Sequence, residues 1–183
     1  MAEQIQIVDG GDNSGRANVD SKRHGLVGID TAHEAVHDGV MFEASYIFVS
    51  VAGSANADIL VIVGSKKELH VTFHIVSAGQ GLIYLYESPT ITANGTALTI
   101  NDMNRVTKNT SDASAFYTPT VGATGTVLSQ SIVEGGTGGN KIGGQVRWGT
   151  EWILKKSTEY LIRVTNNTAQ TQNMSIQVEF YEV

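Results

Sequence analysis

No cysteine occurs among the 183 residues. That excludes disulfides, thiolate zinc sites and cysteine nucleophiles, and it leaves the redox compartment open. Charge is also sparse: 16% of residues are Asp, Glu, Lys or Arg, against about a quarter in ordinary soluble domains. Thr, Ser, Asn and Gly fill the gap and give a neutral, polar surface, a texture common in extracellular β-proteins and virus particles. A strong basic cluster is missing. Lys22-Arg23-His24, Lys66-Lys67 and Lys155-Lys156 are the compact basic spots, and each reads as a solvated face. With a net charge of −6, binding to a nucleic-acid backbone is not expected. No apolar run approaches the roughly 20 residues a membrane helix needs. Met1 to Arg16 is polar and has no apolar segment of signal-peptide type, which argues against Sec export.

What remains suits one domain with a sizeable core, since 41% of the chain is apolar. Residues 1–24 are poor in large apolar side chains and rich in Gly, Asp, Asn and Ser. Such a segment cannot bury enough surface to fold alone and reads as an extended arm. Ile5 and Ile7 are its candidates for an interface. From Gly25 onward the texture is that of short strands separated by turn residues. "YIFVSVA" (46–52) and "DILVIVG" (58–64) are β-branched and aromatic. "LHVTFHIV" (69–76) alternates, with Leu69, Val71, Phe73 and Ile75 on one face and His70, Thr72 and His74 on the other. "GLIYLYE" (81–87) follows Ala78-Gly79-Gln80 as an expected hairpin, and "PTITANGTALTI" (89–100) turns at Asn94-Gly95. Further strands fall near 125–133, within 151–167 and at 174–183. No long amphipathic helix and no internal repeat is evident. The expected fold is all-β: a single antiparallel β-sandwich or jelly-roll-like domain over 25–183, preceded by the arm.

One motif resists this reading. His33-Glu34-Ala35-Val36-His37 matches the zinc-protease pattern H-E-x-x-H. That pattern works because a helix places two imidazoles one turn apart, with the Glu poised as base and a third ligand completing the site. Gly39 leaves room for at most about two helical turns here, and only Ala35 and Val36 offer apolar cargo. His33, Glu34 and His37 are therefore expected in a short polar turn or an interface, and no metal or other cofactor is expected. His33 and His37 are the metal candidates if one exists, with His24, His70 and His74 as further donors. His70 and His74 otherwise belong to a subunit interface or a solvent face.

The other chemical motifs are weaker. Asn140-Lys141-Ile142 lacks the Gly-Lys-Ser/Thr of a phosphate loop. No G-x-S-x-G elbow is present. Trp148 and Trp152 flank Gly149-Thr150-Glu151 and suit either sugar stacking or an interface or core role. No catalytic residue is assigned.

The segments "HEAVHDGVMFEASY", "SPTITANGTALTINDMNR" and "EWILKKSTEYLIRVTNNT" resemble a family of tailed-bacteriophage virion structural proteins. The matching features are an H-x-x-x-H-x-G-x-x-F segment at His33 to Phe42 and a strand ending at Tyr86 to Thr90. They continue with Asn94-Gly95-Thr96 as a hairpin, a Trp-Ile-Leu-Lys block at Trp152 to Lys155, and Phe180 to Glu182 in the last strand. The resemblance spans about residues 25 to 183. It implies a non-enzymatic protein of the virion, with the two histidines structural. The expectation is a head decoration (cement) protein that binds the major capsid protein from the capsid exterior, assembles as a homotrimer, and is made in the host cytoplasm. The alternative is a fibre or tail module that binds host glycans. A zinc hydrolase built on His33, Glu34 and His37 is the remote third.

Overall fold

A computed structural model of the chain describes residues 18–19, 26–27, 31–135, 143–147 and 149–183. Ile5, Ile7, His24, Trp148 and most of the arm lie outside the described residues. The chain divides into two compact units, 1–34 and 35–183. In the first, Asn18–Val19 (β1) pairs antiparallel with Leu26–Val27 (β2).

The helix Thr31–His37 (α1) spans the boundary, and the second unit contains the remaining strands. In chain order these are Met41–Val51 (β3), Asn56–Ile62 (β4), Leu69–Ser77 (β5) and Gly81–Glu87 (β6). Thr90–Ala93 (β7), Thr96–Leu98 (β8), Asn101–Asp102 (β9), Ser114–Tyr117 (β10) and Thr120–Ala123 (β11) follow. Thr126–Val133 (β12), Gly144–Arg147 (β13), Trp152–Leu154 (β14), Glu159–Asn166 (β15) and Gln172–Glu182 (β16) complete it. One sheet has the order β12-β6-β15-β4-β10-β8, and the other has β13-β5-β16-β3-β9 with β14 also on β5. All pairings are antiparallel.

The chain switches sheet at each step from β3 to β4, β5 and β6, and again from β12 to β13, β15 and β16. Those eight strands, four per sheet, form a jelly roll, so the expected all-β sandwich is present. Between the sheets lies one apolar core that includes Phe42, Phe73, Tyr160, Ile176 and Phe180. The alternation in β5 is as expected: Leu69, Val71, Phe73 and Ile75 are buried, while His70 and His74 face outward.

The hairpin expected at Ala78-Gly79-Gln80 does not form. β5 pairs with β16, β13 and β14, and β6 pairs with β15 and β12, so this turn carries the chain from one sheet to the other. Nor does Asn94-Gly95 close a hairpin. β7 pairs with β11 and β8 pairs with β10, so the turn is a corner between two different ladders.

That corner belongs to an internal repeat, which the residue pattern alone does not make evident. Tyr86-Glu87-Ser88-Pro89-Thr90-Ile91 leads to Ala93, Gly95, Thr96 and Leu98. Phe116-Tyr117-Thr118-Pro119-Thr120-Val121 leads in step to Ala123, Gly125, Thr126 and Leu128, at an offset of 30 residues. The pairings are symmetric: Thr90 faces Ala123 and Thr120 faces Ala93. Ser88 donates its N–H to the Glu159 carbonyl, and Thr118 donates its N–H to the Asp58 carbonyl. Ser88 and Thr118 both have positive φ, at 54° and 52°. A two-fold relation therefore exchanges β4 with β15, centred where Leu60 faces Leu161. Leu60 and Leu161 lie on the face opposite the core but are 0% exposed. β7 runs from β6 to β8, and β11 from β10 to β12, so the β7–β11 ribbon must cross that outer face. We assign the burial of the two leucines to this crossing.

Candidate functional site

The outward face of the β13-β5-β16-β3 sheet carries His70 and His74, two of the polar residues singled out by sequence. Register sets them in rows. Tyr181 lies beside His70 on one side and Met41 on the other. Gln177 lies between His74 and Ser45, and Arg147 lies beside His74. Ser175 lies between Val76 and Ile47.

Three side chains meet at one end of this face. His70 Nδ1 is 3.0 Å from Glu151 Oε1. The Tyr181 hydroxyl donates to Glu151 Oε2 at 2.9 Å, and its ring stacks on His70 with centroids 4.6 Å apart. Glu151 enters from the residue before β14, whose pairing with β5 sets Trp152 against Val71. The hydrogen bond with His70 holds the Glu151 carboxyl below its ordinary range; burial opposes this, and Tyr181 adds to it. Farther along, Arg147 Nη2 donates to Glu179 Oε2 at 3.0 Å, and His74 Nε2 lies 3.2 Å from Gln145 Oε1. Glu179 also accepts from Gln177 at 2.9 Å. The titratable groups of this face are thus tied largely to one another.

Beside the cluster is an open cleft of about 430 Å³ lined by Ser129, Gly149, Thr150, Glu151 and Trp152. Trp152 is half-buried and packs against the sandwich core, so only part of its ring surface is open to a ligand.

The H-E-x-x-H segment departs from expectation. It is a helix, not a polar turn: α1 covers Thr31–His37. Its end explains why so short a helix holds. Gly39 adopts φ 69°, its N–H bonds the Val36 carbonyl at 3.1 Å, and the Val40 N–H bonds the Ala35 carbonyl at 3.0 Å. This is the reciprocal Schellman closure that glycine permits. The loop after β9 completes it. Asn104 Nδ2 donates to the His37 carbonyl at 3.0 Å, and Asn109 Nδ2 donates to the Gly39 carbonyl at 2.9 Å. Asp102 in turn holds that loop. Its carboxylate accepts the Asn104 N–H at 2.7 Å, the Asn109 N–H at 2.6 Å and the Thr107 hydroxyl at 2.9 Å. Burial raises the Asp102 pKa, but these donors more than offset it and the net shift is downward.

His33, Glu34 and His37 are all exposed. Among the described residues, no group of three or more His, Asp or Glu is arranged to hold a metal ion. His70 and His74 lie on a different element, each beside its own hydrogen-bond partner.

Sequence reasoning missed two features of these sites. Tyr181 was legible as outward by the alternation of the last strand, but Glu151 reaches it only through β14. The Asp102–Asn109 loop carries a visible signal, Asp-x-Asn and Asn-x-x-Thr spacings suited to side-chain-capped turns. Nothing in the sequence ties that loop to Gly39, roughly seventy residues away. The chain matches no family model and no curated protein.

Proposed function

We propose that the protein is a non-enzymatic structural component of a tailed-phage virion. In this reading it is a head decoration protein that binds the major capsid protein on the capsid exterior, after synthesis in the host cytoplasm. The carrying observation is the outward β13-β5-β16-β3 face. Most of its ionisable groups are held in His70–Glu151–Tyr181 and Arg147–Glu179, His74 lies beside Gln145, Glu43 stands in register beside Glu179, and they are not converged on an open reaction centre. Such a face suits docking more than turnover. The jelly roll supports the same reading by analogy, since capsid and lectin domains use it. The part of the polar arm before β1, some 17 residues, would reach up to roughly 60 Å if extended and would grip a neighbouring capsid subunit. The entropy of ordering it would be offset by contacts on the lattice.

The test is the robustness of particles that lack the protein. They should lose resistance to heat or osmotic shock, and unchanged robustness would count against decoration.

A second reading keeps the virion and changes the place: a fibre or tail module that binds host glycans. The cleft of Ser129, Thr150, Glu151 and Trp152 favours it, because hydroxyls, a carboxylate and an indole are the groups that recognise sugars. Glycan-array binding lost in a folded Trp152→Ala protein would support this version.

A further inference from the structure

The longest described strand with an open edge is β3. Its even-numbered residues bond to β16, as the Glu182 N–H to Val40 carbonyl bond fixes by register. Its odd-numbered residues point the other way, as the Met103 N–H to Met41 carbonyl bond shows. β9 runs beside that side only from Met41 to Glu43 before the chain leaves the sheet. From Ser45 to Val49, among the described residues, no strand pairs with this edge. The same odd residues carry outward side chains, and two are large and apolar: Ile47 is 67% exposed and Val49 is 70% exposed.

Natural proteins guard such edges with lysine, proline, a bulge or a cover. Ala44 to Val51 contains no charged residue and no proline, in a chain of net charge −6, and its one guard is the bulge at Val49–Ser50, where Ser50 has φ 55° and the register to β16 shifts at the far end of the unpaired stretch. The neutral strip continues across the sheet through Ser175 to Val76, which is partly exposed.

We propose that this edge pairs antiparallel with β3 of a second copy, about a two-fold axis at Ile47. The sequence is self-complementary there. Ile47 faces Ile47, and Ser45 faces Val49 in both directions, so no like charges oppose each other. The N–H and C=O groups of Ser45, Ile47 and Val49 are directed to complete each other's ladder. Ile47 and Val49 of both copies then form one continuous apolar strip on the outer face of a joined sheet. Two chains of net charge −6 repel each other over most of their surface, and this neutral strip is where close approach costs least. The contact is isologous and gives a dimer, in place of the three-fold assembly expected from the family resemblance.

Sedimentation velocity on the full chain tests this. The expected result is a reversible dimer that Ile47→Lys or Val49→Lys weakens at least tenfold, with thermal stability unchanged at concentrations where the wild type is monomeric, because both side chains are exposed in the single chain. A second arm keeps the geometry in view. The chain has no cysteine, so Ile47→Cys introduces a single thiol, which self-pairing places about 5.5 Å from its mate, Cα to Cα. Mild oxidation should give a covalent dimer with Ile47→Cys and not with Val76→Cys. A wild-type monomer at every concentration overturns the proposal, as does a trimer or dimer indifferent to both lysines. So does equal crosslinking at 47 and 76. Dissociation by Ile5→Lys/Ile7→Lys, with the β3 variants silent, assigns self-association to the arm and overturns it as well.

Discussion

Arg163 and Asp58 show how a single pair is fixed by position. They face each other across β15 and β4 and meet through two bonds of 2.8 and 2.7 Å, both side chains largely buried. The guanidinium is held above its ordinary pKa, chiefly by the bond to Asp58. Removing one partner strands a charge. Asp58→Ala should cost about 3–5 kcal/mol in urea unfolding, whereas replacing both residues with apolar ones of similar volume should cost far less. Equal losses would mean that the pair is not desolvated.

Asp102 carries a pH dependence whose sign follows from its shift. Its folded pKa lies below the ordinary 3.8, so the fold favours the carboxylate. That contribution is fully present above pH 3.8 and is lost as pH falls through the lower, folded value. Thermal melts from neutral pH down to acid should show a smaller loss in Asp102→Asn than in the wild type, the remainder coming from carboxylates such as Glu151 that are also held below their ordinary range. Asp102→Asn should also speed hydrogen exchange at the amides of Ala35 to Val40, whose end the Asp102 loop caps. At the same scale, zinc analysis of purified protein decides the H-E-x-x-H question. No stoichiometric zinc is expected. A full equivalent that disappears in His33→Ala and His37→Ala would revive the hydrolase.

Among the elements, the repeated corners make the strongest demand. A Cβ on Gly95 would stand 2.3 Å from the Tyr117 carbonyl oxygen, and one on Gly125 would stand 2.3 Å from that of Glu87. Both glycines also have positive φ. Gly95→Ala and Gly125→Ala should each destabilise by about 1–3 kcal/mol, and by similar amounts if the two-fold relation is real. A large cost at one and none at the other would make the sequence correspondence accidental.

Strand identity was legible where one face is dry and the other wet, as in β5 and β16. It was legible in a different way for β4. "DILVIV" is a nearly continuous apolar run because Ile59 and Val61 face the core while Leu60 lies under the β7–β11 ribbon. Sheet membership was not legible. Ala78-Gly79-Gln80 announces a turn, and the same residues serve a hairpin or a crossing between sheets. α1 was underestimated because its stability comes from Asn104, Asn109 and Gly39 rather than from its own seven residues. The repeat is faint in sequence because Tyr86 stands against Phe116, and Ile91 against Val121, with only Pro, Thr, Ala, Gly and one Leu constant.

For the whole molecule, the low charge, the two-sheet frame and a neutral strip at one edge belong together. A protein that meets large flat partners gains from a face most of whose charges are already tied to neighbours on the same face. The His70–Glu151–Tyr181 cluster ties the segment before β14 to that face, and the cleft beside it is the place where a glycan-binding version would show itself. The most direct measurement is a difference map between intact wild-type particles and particles lacking this protein. The account predicts added density on the outer surface of the head, in contact with the major capsid protein. Density confined to the tail or fibres, or none on the particle at all, would contradict it.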